Sequence, residues 1–159
     1  MDTLWAPWRM GYILATERPA GCIFCDQPAG GDDARHFIVG RATLCYAILN
    51  RYPYNNGHLL IVPYRHVAVL EELTGEEFTE LFALVKAWTG RLRKTMNAHG
   101  FNIGLNLGTV AGAGIADHLH VHVVPRWNGD TNFMAVLGDS RVISQSLQAA
   151  YDLLAASPT

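Results

Sequence analysis

From His118 to Val124 the sequence alternates imidazole and aliphatic side chains, His118-Leu119-His120-Val121-His122-Val123-Val124. Successive side chains on a strand point to opposite faces. The run therefore reads as a strand over about His118 to Pro125, with the three imidazoles on one face and Leu119, Val121 and Val123 in a core. Neighbouring imidazoles are then roughly 7 Å apart at the backbone, which lets the outer two flank a group bound at the middle one. Imidazole titrates near neutrality and serves as nucleophile, acid or hydrogen-bond donor. Two other readings stay open for this strand: a set of surface histidines, or a metal site, because alternating histidines on strands also bind zinc.

Cys22 and Cys25 are spaced as two zinc ligands, which is half a site, since structural zinc takes four ligands. The other reading makes them reduced, buried thiols. Cys45 falls inside a predicted strand and reads as core, while His36 and His99 read as solvated. The glycine-rich run before the histidines, Gly108 to Gly114, offers the backbone amides of Gly112, Gly114 and Ile115 as an anion nest, or else forms only a tight connection. A nest would suit phosphoryl or nucleotidyl transfer, which depends on donors aimed at the equatorial oxygens of the reacting phosphorus.

The elements that must position these residues are legible in outline. A chain of 159 residues, half of them hydrophobic, suits one domain over residues 1–159. A strand within Arg41 to Asn50 ends in the turn chemistry of Pro53, Asn55, Asn56 and Gly57, which puts His58 at the start of a second strand, Leu59 to Val62. Thr74 and Glu77 form a capping box ahead of Phe78, Leu81, Phe82, Val85, Trp88 and Leu92 at helical spacing, predicting one long helix from about Gly75 to Ala98, with Gly100 as its cap. A strand around Phe101 to Leu107 precedes the glycine run. A final helix, about Arg141 to Ala155, turns Val142, Ile143, Leu147, Tyr151 and Leu154 inward. Gln27 to Arg35, with its Pro, Gly and Asp residues, reads as a loose segment. Strands in meander order with appended helices predict an α+β fold with a mainly antiparallel sheet.

The formal charge of −2 and low charged fraction argue against a surface for long nucleic acid. No apolar run approaches the ~20 residues of a membrane span, and the aromatic and charged N-terminus around Trp5, Trp8 and Arg9 lacks a signal-peptide pattern. Three cysteines do not make the even framework of a small secreted domain. The expected compartment is the cytoplasm.

The histidine run resembles the His-φ-His-φ-His-φ-φ motif of the histidine triad (HIT) superfamily. Asn-Gly-His-Leu-Leu-Ile-Val-Pro-Tyr-Arg-His, Asn56 to His66, is similar to that superfamily's Gly-His-φ-φ-φ-φ-Pro segment. Pro125-Arg126-Trp127, Gly129 to Phe133 and Asn50, eight residues before His58, resemble most the fragile-histidine-triad and bacterial diadenosine-tetraphosphate phosphorylase branch. The resemblance covers about Trp5 to Leu154. It implies a HIT-like fold and a nucleotide or dinucleotide substrate, with His120 as the nucleophile on the α-phosphorus. His122 would bond the phosphate or leaving-group oxygen, His58 would complete the triad, and Asn50 would contact the ribose hydroxyls. Asn106 would contact the phosphate or leaving group, or else only satisfy backbone at a turn. Some bacterial members bind zinc through the cysteine pair with two histidines, here Cys22, Cys25, His66 and His118. The resemblance also implies a homodimer, for which Trp5, Trp8 and Trp127 are candidate contact residues, the other reading being that they stack on a nucleotide base.

The reaction so implied is hydrolysis or phosphorolysis of a dinucleoside polyphosphate or related nucleotide through a nucleotidyl-His120 intermediate, with the acceptor left open. The alternatives are a nucleoside phosphoramidase, which Asn50 disfavours because that branch commonly carries an acidic residue there, a non-catalytic nucleotide-binding protein, and a metallohydrolase with the strand histidines on catalytic zinc.

Overall fold

The computed structural model describes residues 21–131 and 142–156. Trp5, Trp8, Arg9, Asn132, Phe133 and Arg141, where the last helix was expected to start, lie outside the described residues. Strands β1 (Ile38–Arg41), β2 (Cys45–Leu49), β3 (Leu59–Pro63), β4 (Gly100–Leu105) and β5 (Val121–Arg126) form an antiparallel sheet in the spatial order β1-β2-β3-β5-β4. Helices α1 (Ile23–Ala29), α2 (Asp33–His36), α3 (Gly75–Met96) and α4 (Leu147–Ala155) join it. This is the expected α+β fold.

All residues of β2 and β3 are buried, so both faces of the sheet centre are covered. Cys45, Ala47, Leu49, Leu59 and Ile61 join Leu119, Val121 and Val123 in a core closed by Leu81, Val85, Trp88 and Leu92 of α3 and Ala150 and Leu154 of α4. On the opposite face Ile38, Tyr46, Ile48, Leu60 and Val62 pack around Phe24 of α1. The Tyr46 hydroxyl, fully buried, donates to the Phe24 carbonyl at 2.7 Å, which satisfies its polar end and ties α1 to β2.

Several boundaries differ from the sequence reading for local reasons. Gln27 to Arg35 is not loose: its ends belong to α1 and α2, and Asp32 caps α2 by accepting from the Arg35 amide at 3.1 Å. The sequence reading contains no counterpart of β1. The cap of α3 is Asn97 in the left-handed region, φ 53°, and Gly100 instead opens β4. Phe78 and Phe82 are not inward on α3; both are exposed, with ring centroids 4.9 Å apart. Helix α4 starts only at Leu147, capped by Ser146, and Val142 is exposed. His36 is half-buried rather than solvated, whereas His99 is exposed as expected.

The capping box is present in full. Thr74 Oγ1 accepts from the Glu77 amide at 3.2 Å and Glu77 Oε2 accepts from the Thr74 amide at 2.8 Å. Glu77 also receives Arg65 Nε and Nη2 at 2.8 and 2.7 Å, and the Arg65 guanidinium holds its carboxyl down to about 2. Thr74→Ala should therefore lower the free energy of unfolding by about 1 kcal/mol. Glu77→Ala should cost more, because it strips the cap and leaves the Arg65 segment without its anchor. Urea denaturation of both variants at pH 7 checks the order, and equal losses would show that Glu77 acts through the cap alone.

Candidate active site

The β3–β5 register pairs Leu60 with His122, so His122 lies on the α1 face, and Val121 and Val123 point to α3 as the alternation requires. The ladder stops at Val121, and His118 and His120 lie on the extended approach to β5. Proline at position 63 explains the stop. It has no amide proton to donate, and its carbonyl accepts a hydrogen bond from His118 Nε2 at 2.9 Å. The backbone instead bonds sideways, Leu119 amide to Val67 carbonyl, at 2.7 Å.

These bonds determine where the ring protons sit. A carbonyl can only accept, so His118 carries its proton on Nε2 and points the Nδ1 lone pair away. That lone pair faces Cys22 Sγ at 3.2 Å and Cys25 Sγ at 3.5 Å. His120 Nδ1 lies 2.8 Å from the His118 carbonyl, so its proton is on Nδ1 and its lone pair on Nε2. His58 Nδ1 accepts from the Tyr54 amide at 3.0 Å, with Asn50 Nδ2 a further 3.4 Å neighbour. Its proton is therefore on Nε2, donated to His122 Nδ1 at 3.0 Å, which places the His122 proton on Nε2. The result is an unprotonated nitrogen on His120 next to an N–H on His122, with ring centroids 4.9 Å apart.

His118 is thus the one imidazole that does not flank the middle histidine. The flanking group on that side is Phe24, with centroids 5.0 Å from His120 and 5.5 Å from His118. His58 and His118 are fully buried and His120 nearly so. Burial disfavours the imidazolium, which lowers the pKa of His118 and His120, and lowers that of His58, with the neighbouring His122 and His120 rings adding to it, to about 3. Burial favours the neutral form of His58, His118 and His120, and carbonyls and amides set their tautomers.

Of the other predicted residues, Asn50 is half-buried and its Oδ1 accepts from the Tyr52 amide at 2.9 Å, closing the loop that carries His58. Asn106 is half-buried one residue past the last β4–β5 pair, Leu105 with Val121. Gly112 takes a left-handed conformation, φ 86°, and its amide donates to the Thr109 carbonyl at 3.0 Å. Its N–H is committed inside the loop rather than to a nest. Gly114 is exposed and Ile115 packs against the Phe24 cluster. Tyr54 and Phe24 are the site residues that sequence reasoning missed. Tyr54 acts through its backbone N–H, which no residue type signals, although the Pro53-to-Gly57 turn marked the segment.

The structure brings Cys22, Cys25, His66 and His118 together, with all four ligand atoms within 4.8 Å of one another. Cys25 Sγ lies 3.4 Å from His66 Nδ1. Two thiols and two imidazole nitrogens are a donor set that suits zinc. The His118 tautomer fits as well, because a ligating histidine commonly donates its other N–H to a carbonyl, here that of Pro63. Burial and the neighbouring Cys22 push the Cys25 thiol up to about 11, so a cation entering the cluster has to displace its proton.

His58 also links the site to acid stability. Its folded pKa of about 3 lies below the ordinary 6.5, so between these values the unfolded chain binds a proton that the folded chain does not. Its contribution is fully present above about pH 6.5 and is lost as pH falls from there toward 3. His58→Asn should therefore show a shallower loss of unfolding free energy than the wild type between pH 7 and pH 4, measured by urea titration. Parallel curves would show that His58 does not carry this pH dependence.

Comparison with known proteins agrees with this geometry. The model of the HIT domain family matches residues 32–129. The chain is 45% identical over 164 residues to the AP-4-A phosphorylase of Mycobacterium tuberculosis (strain CDC 1551 / Oshkosh), an alignment covering 98% of this chain and 83% of that protein. It is 38% identical over 112 residues to the asymmetrical bis(5'-nucleosyl)-tetraphosphatase of Schizosaccharomyces pombe, covering 70% of this chain and 58% of that one. Among solved structures, a Zn-bound histidine triad family protein from Mycobacterium smegmatis superposes with a TM-score of 0.70 at 28% identity, over 86% of this chain and 91% of that one. The domain match spans more than half of the chain and includes every histidine of the site, and on this ground the chain belongs to the HIT family.

Proposed function

We propose that this chain cleaves a dinucleoside polyphosphate at the α-phosphorus through a nucleotidyl-His120 intermediate and passes the nucleotidyl group to inorganic phosphate. The observation that carries the reading is the His120 tautomer: Nδ1–H is held on the His118 carbonyl, which leaves a neutral, buried Nε2 lone pair. In the first step Nε2 forms a bond to phosphorus as the bond to the leaving-group oxygen breaks, and the His122 Nε2 proton meets the charge developing there. In the second step a phosphate oxygen attacks the same phosphorus, the P–N bond breaks and a nucleoside diphosphate leaves. With diadenosine tetraphosphate the products are ATP and ADP. Phosphate is favoured over water as acceptor by the 45% identity, over nearly the whole chain, to a protein named AP-4-A phosphorylase.

Zinc belongs to the same proposal, held by Cys22, Cys25, His66 and His118. Bound there it would cross-link α1, the segment after β3 and the approach to β5, a structural task apart from the chemistry at phosphorus. Reduced thiols at this site fit a cytoplasmic protein. No helix among the described residues is long and apolar enough to cross a membrane. A homodimer is the expected assembly, supported by the position of β4 at the sheet edge and the exposed Ile103 on it.

His120→Asn should bind nucleotide but lose nearly all turnover, because the pathway itself is removed. His122→Asn should retain more, with a loss on the order of 10²- to 10³-fold. Rapid quench with a substrate labelled at the α-phosphate should trap an acid-labile, base-stable phosphoramidate on a peptide containing His120. Near-normal turnover of His120→Asn, or label on another residue, would sink the mechanism. Product analysis with and without phosphate checks the acceptor: AMP in place of ADP would mark hydrolysis.

For the metal, Cys22→Ser should abolish stoichiometric zinc in the purified protein and lower its melting temperature far more than its turnover per folded molecule. Unchanged zinc content, or a metal site that includes His120, would refute the assignment.

A further inference from the structure

Asn55 is a buried amide outside the imidazole cluster, 8% exposed, and every hydrogen-bonding atom of its side chain is used. Nδ2 donates to the Pro125 carbonyl at 3.1 Å and to Asp130 Oδ2 at 2.8 Å, and Oδ1 accepts from the Asn56 amide at 3.0 Å. Only an amide supplies two donors and an acceptor from this position. Asp130 is itself held. Its carboxylate takes Arg126 Nε and Nη2 at 2.6 and 2.8 Å and the Trp127 amide at 3.1 Å. Pro125 and Arg126 end β5, the strand that carries His122. Asn55 therefore clamps the turn before His58 onto the strand of His122.

The clamp stands between two contacts to His58. The preceding residue, Tyr54, donates its amide to His58 Nδ1, and the Asn55 carbonyl accepts the His58 amide at 3.3 Å. Moving the Tyr54 N–H away would let His58 carry its proton on Nδ1. His58 Nε2 would then accept, His122 Nδ1 would donate, and His122 Nε2 would have no proton left to give. The Tyr54 backbone amide, the shorter of the two donor contacts at His58 Nδ1 with Asn50 Nδ2 at 3.4 Å as the other, thus sets the direction of the imidazole pair.

We propose that Asn55 and Asp130 are positioning residues for the triad: by clamping the 54–58 turn to the end of β5 they hold the Tyr54 N–H on His58 and so keep the His122 proton on Nε2. This rests on His122 as the donor beside the nucleophile, but its test needs no turnover. Two-bond ¹H–¹⁵N correlation spectra of protein labelled at histidine nitrogens report each ring's tautomer directly. In the wild type at pH 7, His58 and His122 should both be protonated at Nε2 and His120 at Nδ1. Asn55→Ala and Asp130→Ala should each mix or reverse the His58 and His122 tautomers and leave His120 as it was. In both, kcat should fall by roughly 10- to 100-fold, with KM little changed. Wild-type His58 protonated at Nδ1, or unchanged tautomers in either variant once folded, overturns the proposal even if the other variant does not fold. If His120→Asn keeps its turnover while Asn55→Ala reverses the tautomers, the covalent mechanism fails and the clamp stands.

Discussion

The site depends first on one hydrogen bond, from His120 Nδ1 to the carbonyl of His118 at 2.8 Å. It fixes a tautomer and a ring direction together. Residues 118–120 lie outside the β3–β5 ladder, where Pro63 offers no amide to Leu119, its partner in the continued register, and the His118 carbonyl is taken by the His120 ring. His118 is fixed in turn at both nitrogens, by the Pro63 carbonyl on one side and the cysteine pair on the other. A cation held by the cysteines would thus sit on the same backbone turn as His120, and its task there would be structural.

Neutral dipoles, rather than ion pairs, order the imidazoles. His58, His118 and His120 are buried, and burial holds each in its uncharged form, so the controlled variable is where a proton sits on a neutral ring. Formal charges beside these rings would carry a desolvation cost and shift their titration. The ion pairs of Arg41 with Asp33, Arg65 with Glu77 and Arg126 with Asp130 accordingly lie at element ends, each with a partly exposed guanidinium. A carbonyl, a backbone amide and a side-chain amide do the orienting work at lower cost.

Much of this was legible in the sequence because period-2 alternation and cap chemistry are local signals. The Val121–Arg126 part of the histidine strand, the Thr74–Glu77 box and the long helix follow from neighbouring residues, whereas the predicted start at His118 does not hold; the cysteine pair with His66 and His118 followed from a motif resemblance. What was not legible depends on partners distant in the chain. Phe78 and Phe82 match the helical period, yet the buried position beside them belongs to Glu77, whose carboxylate is neutralised by Arg65 from another segment. β1 is four residues long, follows a polar stretch and is defined only by its pairing with β2. Tyr54 contributes a backbone N–H, and the turn at Pro53 to Gly57 could be seen without any sign of which amide meets the imidazole.

The division of the sheet into two faces sharpens the consequence of the proline stop. On β5 the α3 face takes Val121 and Val123, while the α1 face takes His122 and, on the approach, His120. A register slip of one residue would move the imidazoles into the α3 core and the valines into the site, so packing against α3 enforces the register that the chemistry needs. Stability and reactivity are then written on opposite sides of one strand. Truncating Val121 or Val123 threatens both through register, whereas changes on the Phe24 face leave the α3 core intact and weaken the second buried cluster together with the site. The face that carries the chemistry has the smaller apolar cluster, and hydrogen bonds through Pro63, Tyr54 and Asn55 supply there the order that dense packing supplies on the other.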